Sequence, residues 1–101
     1  MRLYSKIYGD KNKDLIILHG LFGMSDNWNT LGKQFSKNYR VHLIDLRNHG
    51  RSPHSQEFNY DVMCSDILEY IQINDINNPI LLGHSLGGKV AMKFAFTYKD
   101  K

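Results

Sequence analysis

Three short apolar runs, Leu15 to Leu18, Val41 to Ile44 and Ile80 to Leu82, divide the chain at wide intervals. Each is nearly continuous, where a strand with one wet face would alternate, so each predicts a strand buried on both faces, as in parallel sheets. The intervals carry helical spacing. Trp28, Leu31 and Phe35 follow Asp26 and Asn27, either of which predicts an N-cap, and Asn38 predicts the stop. Met63, Ile67 and Ile71 recur every fourth residue, flanked by Tyr70, in a helix expected from about Asn59 to Ile73. Leu3 to Tyr8 alternates apolar with polar residues and predicts an antiparallel edge strand. The expected class is α/β: a mostly parallel sheet of about four strands, joined by right-handed crossovers, with flanking helices.

At 101 residues the chain is one small domain at most, and its core is expected to be marginal. Hydrophobic content of 42% argues against disorder. The net charge of +3 comes from lysines scattered among acidic residues, which predicts no nucleic-acid surface. No apolar stretch approaches the roughly 20 residues that span a bilayer. A single cysteine, Cys64, cannot close an internal disulfide, and the first residues lack the apolar core of a secretion signal. A cytoplasmic location is expected.

Gly83-His84-Ser85-Leu86-Gly87 joins the third apolar run to a further helical stretch. A G-x-S-x-G sequence between a strand and a helix predicts a sharp turn that lifts the serine hydroxyl clear of the sheet, with glycines two before and two after admitting the close approach. The following helix would direct its free N–H groups and positive dipole end at the space above Ser85, where an attacked carbonyl develops negative charge. Ser85 is thus the candidate nucleophile for acyl transfer. His19-Gly20-Leu21-Phe22-Gly23 leaves the carboxyl end of the first apolar run. Both segments therefore fall on the rim where open α/β sheets bind ligands.

In this order and spacing, His19 to Gly23, then Asp45-Leu46-Arg47-Asn48-His49-Gly50-Arg51-Ser52-Pro53, then Gly83 to Lys89 resemble the α/β-hydrolase superfamily, and within it small bacterial carboxylesterases and thioesterases with HGLFG, RNHG-x-SP and GHS-x-GGK motifs. The resemblance covers nearly the entire chain. It implies Ser85 as nucleophile, the backbone N–H groups of Leu21 and Leu86 as the oxyanion hole, and Phe22 and Met24 as walls of an acyl pocket. It implies a structural loop for Asp45 to Pro53 and a structural role for His19. The substrate it implies is a small-molecule carboxylic ester or thioester, with no cofactor and no metal.

The family's triad acid and histidine follow the serine in chains of roughly 250 residues. This sequence stops at Lys101. Residues 1–101 are therefore expected to be the N-terminal part of an α/β-hydrolase domain, truncated after the nucleophile helix. Alone it should turn over very weakly, since an oxyanion hole and binding without a base give only about a thousandfold over water. The strand before Ser85 would keep a free edge, which implies self-association or a C-terminal complementing piece. The competing expectation is a catalytically inactive α/β module used for interaction or dimerisation. His42 and His54 read as a strand residue and an exposed loop residue, and His49 as a poor surrogate base. Histidine spacing offers no metal motif, and Cys64 reads as packing.

Overall fold

The computed structural model describes residues 1–20 and 23–98. β1 (Ser5–Tyr8), β2 (Asp14–Leu18), β3 (Arg40–Ile44) and β4 (Ile80–Gly83) form one sheet in the order β1-β3-β2-β4. β1 runs antiparallel to β3 at one edge, while β3 and β4 both run parallel to β2. Leu18 is in register with Ile44 on one side and Gly83 on the other, so the three parallel strands finish at the same level. That common rim carries all three motifs.

Side-chain alternation divides the core between the two faces. Ile16, Leu18 and Ile44 point to one face, where α2 (Tyr60–Ile73) contributes Met63, Ile67 and Ile71 and α3 (Leu86–Thr97) contributes Val90 and Phe94. Leu15, Ile17, Val41 and Leu43 point to the other, covered by Trp28, Phe35, Tyr8 and Tyr39. Burying each such aliphatic side chain contributes about 1.5–3 kcal/mol. The α2 boundary follows directly from its cap: the Asn59 side chain accepts from the Val62 N–H at 2.9 Å.

Two expectations change. The first helix does not start at Asp26 or Asn27: residues Ser25–Trp28 form a 3-10 turn, and α1 (Asn29–Phe35) begins after Trp28. Asp26 is drawn instead into ion pairs with Lys6 and with Arg51, the latter at 3.4 Å, so its carboxylate serves the turn's attachment to β1 and the 45–53 loop. α1 also ends at Phe35, before Asn38. Secondly, β4 is not buried on both faces. Ile80 and Leu82 are 39% and 38% exposed because, among the described residues, β4 is an edge strand paired with β2.

Buried polar groups knit the elements together. Arg47 forms a two-pronged ion pair with Asp66 of α2 at 2.7 and 2.8 Å and donates to the Glu57 carbonyl at 2.8 Å. At the amino ends of the strands, Asp14 receives Arg40 at 2.7 Å and lies 2.8 Å from His42 Nε2. The Tyr70 hydroxyl lies 2.7 Å from His42 Nδ1 and 2.9 Å from Ser5 Oγ. Burial acts to raise the Asp14 pKa, but its bonds to Arg40 and His42 prevail and hold it below the ordinary carboxylate value.

Candidate active site

β4 ends at Gly83 and α3 begins at Leu86, so the reversal between them is made by His84 and Ser85 alone. Ser85 has φ 55° and ψ −113°, a left-handed conformation that a residue with a side chain adopts at a penalty of about 1–3 kcal/mol. The surroundings enforce it. A methyl group on Gly83 would overlap the backbone of Gly87, and one on Gly87 would overlap the carbonyl oxygens of Leu18 and His19, all under 3.0 Å. The bend therefore closes backbone to backbone, and Ser85 is left exposed on the rim.

Gly20 approaches from β2. A methyl group on it would stand 3.0 Å from His84 Nδ1 and 3.4 Å from Ser85 Cβ, so the chain after β2 passes directly beside the serine. Gly23 donates back to the Gly20 carbonyl at 2.9 Å. Leu86 is the first residue of α3, where backbone N–H groups lack intrahelical acceptors and the helix dipole is positive. Met24, next to Gly23, is half-buried. Leu21 and Phe22, the expected second oxyanion donor and pocket wall, lie outside the described residues.

His19 fixes the approach of this segment. Its Nε2 accepts the Leu46 N–H at 2.9 Å, which requires the proton to reside on Nδ1, 2.7 Å from the Gly20 carbonyl that it bonds. The ring is 1% exposed, and burial pushes its pKa below the ordinary imidazole value. With both nitrogens engaged in holding main chain, His19 is a scaffold and not a base. His49 lies 4.9 Å from the His19 ring and 6.1 Å from that of Phe58, and its Nδ1 bonds the Arg47 carbonyl at 2.9 Å. His42 sits at the amino ends of the strands beside Asp14, and His54 is exposed.

The Asp45 to Pro53 loop is organised around Asp45, whose carboxylate accepts the Arg51 N–H at 3.0 Å and whose carbonyl accepts the Ser52 hydroxyl. Ser52 Oγ in turn accepts the Tyr4 N–H at 2.8 Å. One neighbour of the site was not foreseen from sequence: the Trp28 ring packs 5.7 Å from the ring of His84, next to Ser85. The spacing that predicted Trp28 as an inward helix residue registered its burial but could not register its partner. Among the described residues no helix is long and apolar enough to cross a membrane.

Residues 14–101 match the family model described as alpha/beta hydrolase fold. The chain is 44% identical over 85 residues to the sn-1-specific diacylglycerol lipase ABHD11 of Danio rerio, with 82% of this chain and 27% of that protein covered. It is 39% identical over 83 residues to ethanol acetyltransferase 1 of Cyberlindnera fabianii, covering 80% of this chain and 25% of that one. Among solved structures, a marine microorganism esterase superposes with a TM-score of 0.97 at 41% identity, over 99% of this chain and 38% of the esterase. The chain thus spans well under half the length of these relatives, and what it holds is their N-terminal portion. It belongs to the α/β-hydrolase superfamily.

Proposed function

We propose that this chain carries the nucleophile half of a serine esterase. The observation that supports this best is Ser85 itself, exposed on the rim in a strained bend with Gly20 against it and the α3 amino end behind it. In the proposed reaction Ser85 Oγ attacks the carbonyl carbon of a carboxylic ester or thioester. Its proton passes to a base, the alkoxide or thiolate leaves, and water later releases the acid from the acyl-enzyme. The Leu86 and Leu21 amides hold the oxyanion, and Leu21, Phe22 and Met24 favour a nonpolar acyl group. The base and its carboxylate partner belong to hydrolase sequence beyond residue 101, so this segment by itself is inactive or very weak.

A fluorophosphonate probe tests the reading, because it reports an activated serine without requiring turnover. Labelling of the chain joined to the remaining portion of a relative, abolished by Ser85→Ala, is the expected result; no labelling in that context removes the esterase reading. The second reading, an inactive interaction or dimerisation module, draws on the exposed Ile80 and Leu82 of β4, which suit self-association or a complementing C-terminal piece. A cytoplasmic location fits the single cysteine, Cys64, a buried thiol.

A further inference from the structure

A cavity of about 180 Å³ opens between β1 and the carboxyl end of α2, lined by Arg2, Leu3, Ser5, Tyr70, Ile73 and Asn74. β1 and β4 are the two edges of the sheet, so this cavity and the Ser85 bend after β4 lie on opposite sides of the molecule.

Its polar wall is made of donors without acceptors. Ser5 Oγ accepts the O–H of Tyr70 at 2.9 Å, so its own hydrogen points elsewhere and meets no acceptor among the described residues. Asn74 Nδ2 donates one hydrogen to the Tyr70 carbonyl at 2.9 Å and keeps a second. Arg2 is exposed and has no ion pair or hydrogen bond among the described residues. It is nevertheless held in place from both sides: the Met1 ammonium is bonded to Glu69 at 2.8 Å, and Leu3 is buried in the core. Glu69 and Asp66, the carboxylates beside the start of the chain, are already engaged by Met1 and Arg47.

The carboxyl end of a helix opposes an anion, but here its carbonyls are spent. Tyr70 accepts from the Asn74 N–H at 3.1 Å, Ile71 from Ile76 at 3.0 Å and Gln72 from Asp75 at 3.2 Å. One guanidinium matches one negative charge, and its forked N–H groups suit the two oxygens of a carboxylate. The remaining wall, Leu3 and Ile73, is apolar, and the volume admits a molecule of a few carbons.

We propose that this cavity binds a short-chain monocarboxylate, with its carboxylate on Arg2, Ser5 and Asn74 and its alkyl part on Leu3 and Ile73. The site is independent of the chemistry at Ser85.

Amide NMR titration with sodium butyrate, against sodium chloride at matched ionic strength, tests this on two proteins: the 101-residue chain, and its fusion to the part of the marine microorganism esterase beyond the matched region. In both, butyrate should give saturable shifts confined to residues 2–5 and 70–74, with millimolar affinity, and neutral butyramide should give none. Arg2→Gln changes an exposed side chain and should keep the urea midpoint, yet weaken butyrate about tenfold or more, as loss of a hydrogen bond to a charged group does. Ser85→Ala should leave the affinity unchanged. Shifts that fail to saturate, that butyramide reproduces, that survive Arg2→Gln or that are missing from the fusion overturn the proposal. Shifts centred on Gly20, Gly23 and Leu86 assign the carboxylate to the Ser85 rim, and tighter binding of inorganic phosphate at Arg2 makes the cavity a general anion site; either result overturns it equally.

Discussion

Gly87 of α3 lies against the carbonyl of Leu18 with no room between them for a methyl group. Gly20 is the opposite case on the same rim, since the first atom its methyl would meet is the His84 ring, which can move. Gly87→Ala should therefore destabilise the fold by about 1–3 kcal/mol or more, as overpacking against rigid backbone does. Gly20→Ala should leave the urea midpoint nearly unchanged while slowing labelling of Ser85 in the fusion protein. Equilibrium unfolding and probe kinetics on the two variants separate these effects.

The Ser85 backbone makes a further variant informative. Glycine adopts φ 55° without penalty, so Ser85→Gly should raise stability by about 1 kcal/mol and abolish labelling. Gain of stability with loss of reactivity, read from denaturation curves and probe incorporation, would show that the bend is held under strain for the hydroxyl's sake. Unchanged or lower stability counts against that.

Arg47 and Asp66 are both nearly inaccessible and bonded through two nitrogens and two oxygens. Asp66→Ala leaves the buried Arg47 guanidinium without its counterion and should lose about 3–5 kcal/mol, whereas Arg47→Ala leaves Asp66 the terminal ammonium of Met1 at 3.5 Å and should lose less. Chemical denaturation of the single and double variants should give a double-variant loss clearly smaller than the sum of the two.

Acid sensitivity should come first from the histidines. Burial holds both His19 and His42 below the ordinary imidazole value of 6.5. An unfolded chain takes up these protons near pH 6.5, whereas the folded chain resists until lower pH, so the unfolded state binds more protons in between. Their contribution is full above pH 6.5 and falls away as the pH drops below it. Asp14, held below the ordinary 3.8, weakens the fold only at pH values under that. Urea midpoints measured from neutral to mildly acidic pH should decline, and His42→Gln should reduce the slope.

The strands, α2 and the serine bend were legible because local pattern carries them: continuous apolar runs, a four-residue stripe, an Asn cap at position 59, and glycines bracketing Ser85. What escaped depends on partners distant in sequence. Asp26 looks like a helix cap until Lys6 and Arg51 compete for its carboxylate. Asp66, set between Met63 and Ile67 on the inner face of α2, signals a buried charge, yet nothing local names Arg47 as its counterion. Ile80 and Leu82 read as core because hydrophobicity records what a strand can bury and is silent on whether a neighbour is there.

The row Asp14, His42, Tyr70, Ser5 has a consequence in how its hydrogens must point. Neutral His42 presents Nε2–H to the Asp14 carboxylate, so its Nδ1 can only accept, and it competes with Ser5 Oγ for the single O–H of Tyr70. One added proton on Nδ1 would end that competition, with Tyr70 receiving from the imidazolium and donating to Ser5. A charge gained at His42 is thus felt as a fixed hydroxyl at Tyr70, beside Ser5 of the edge strand β1.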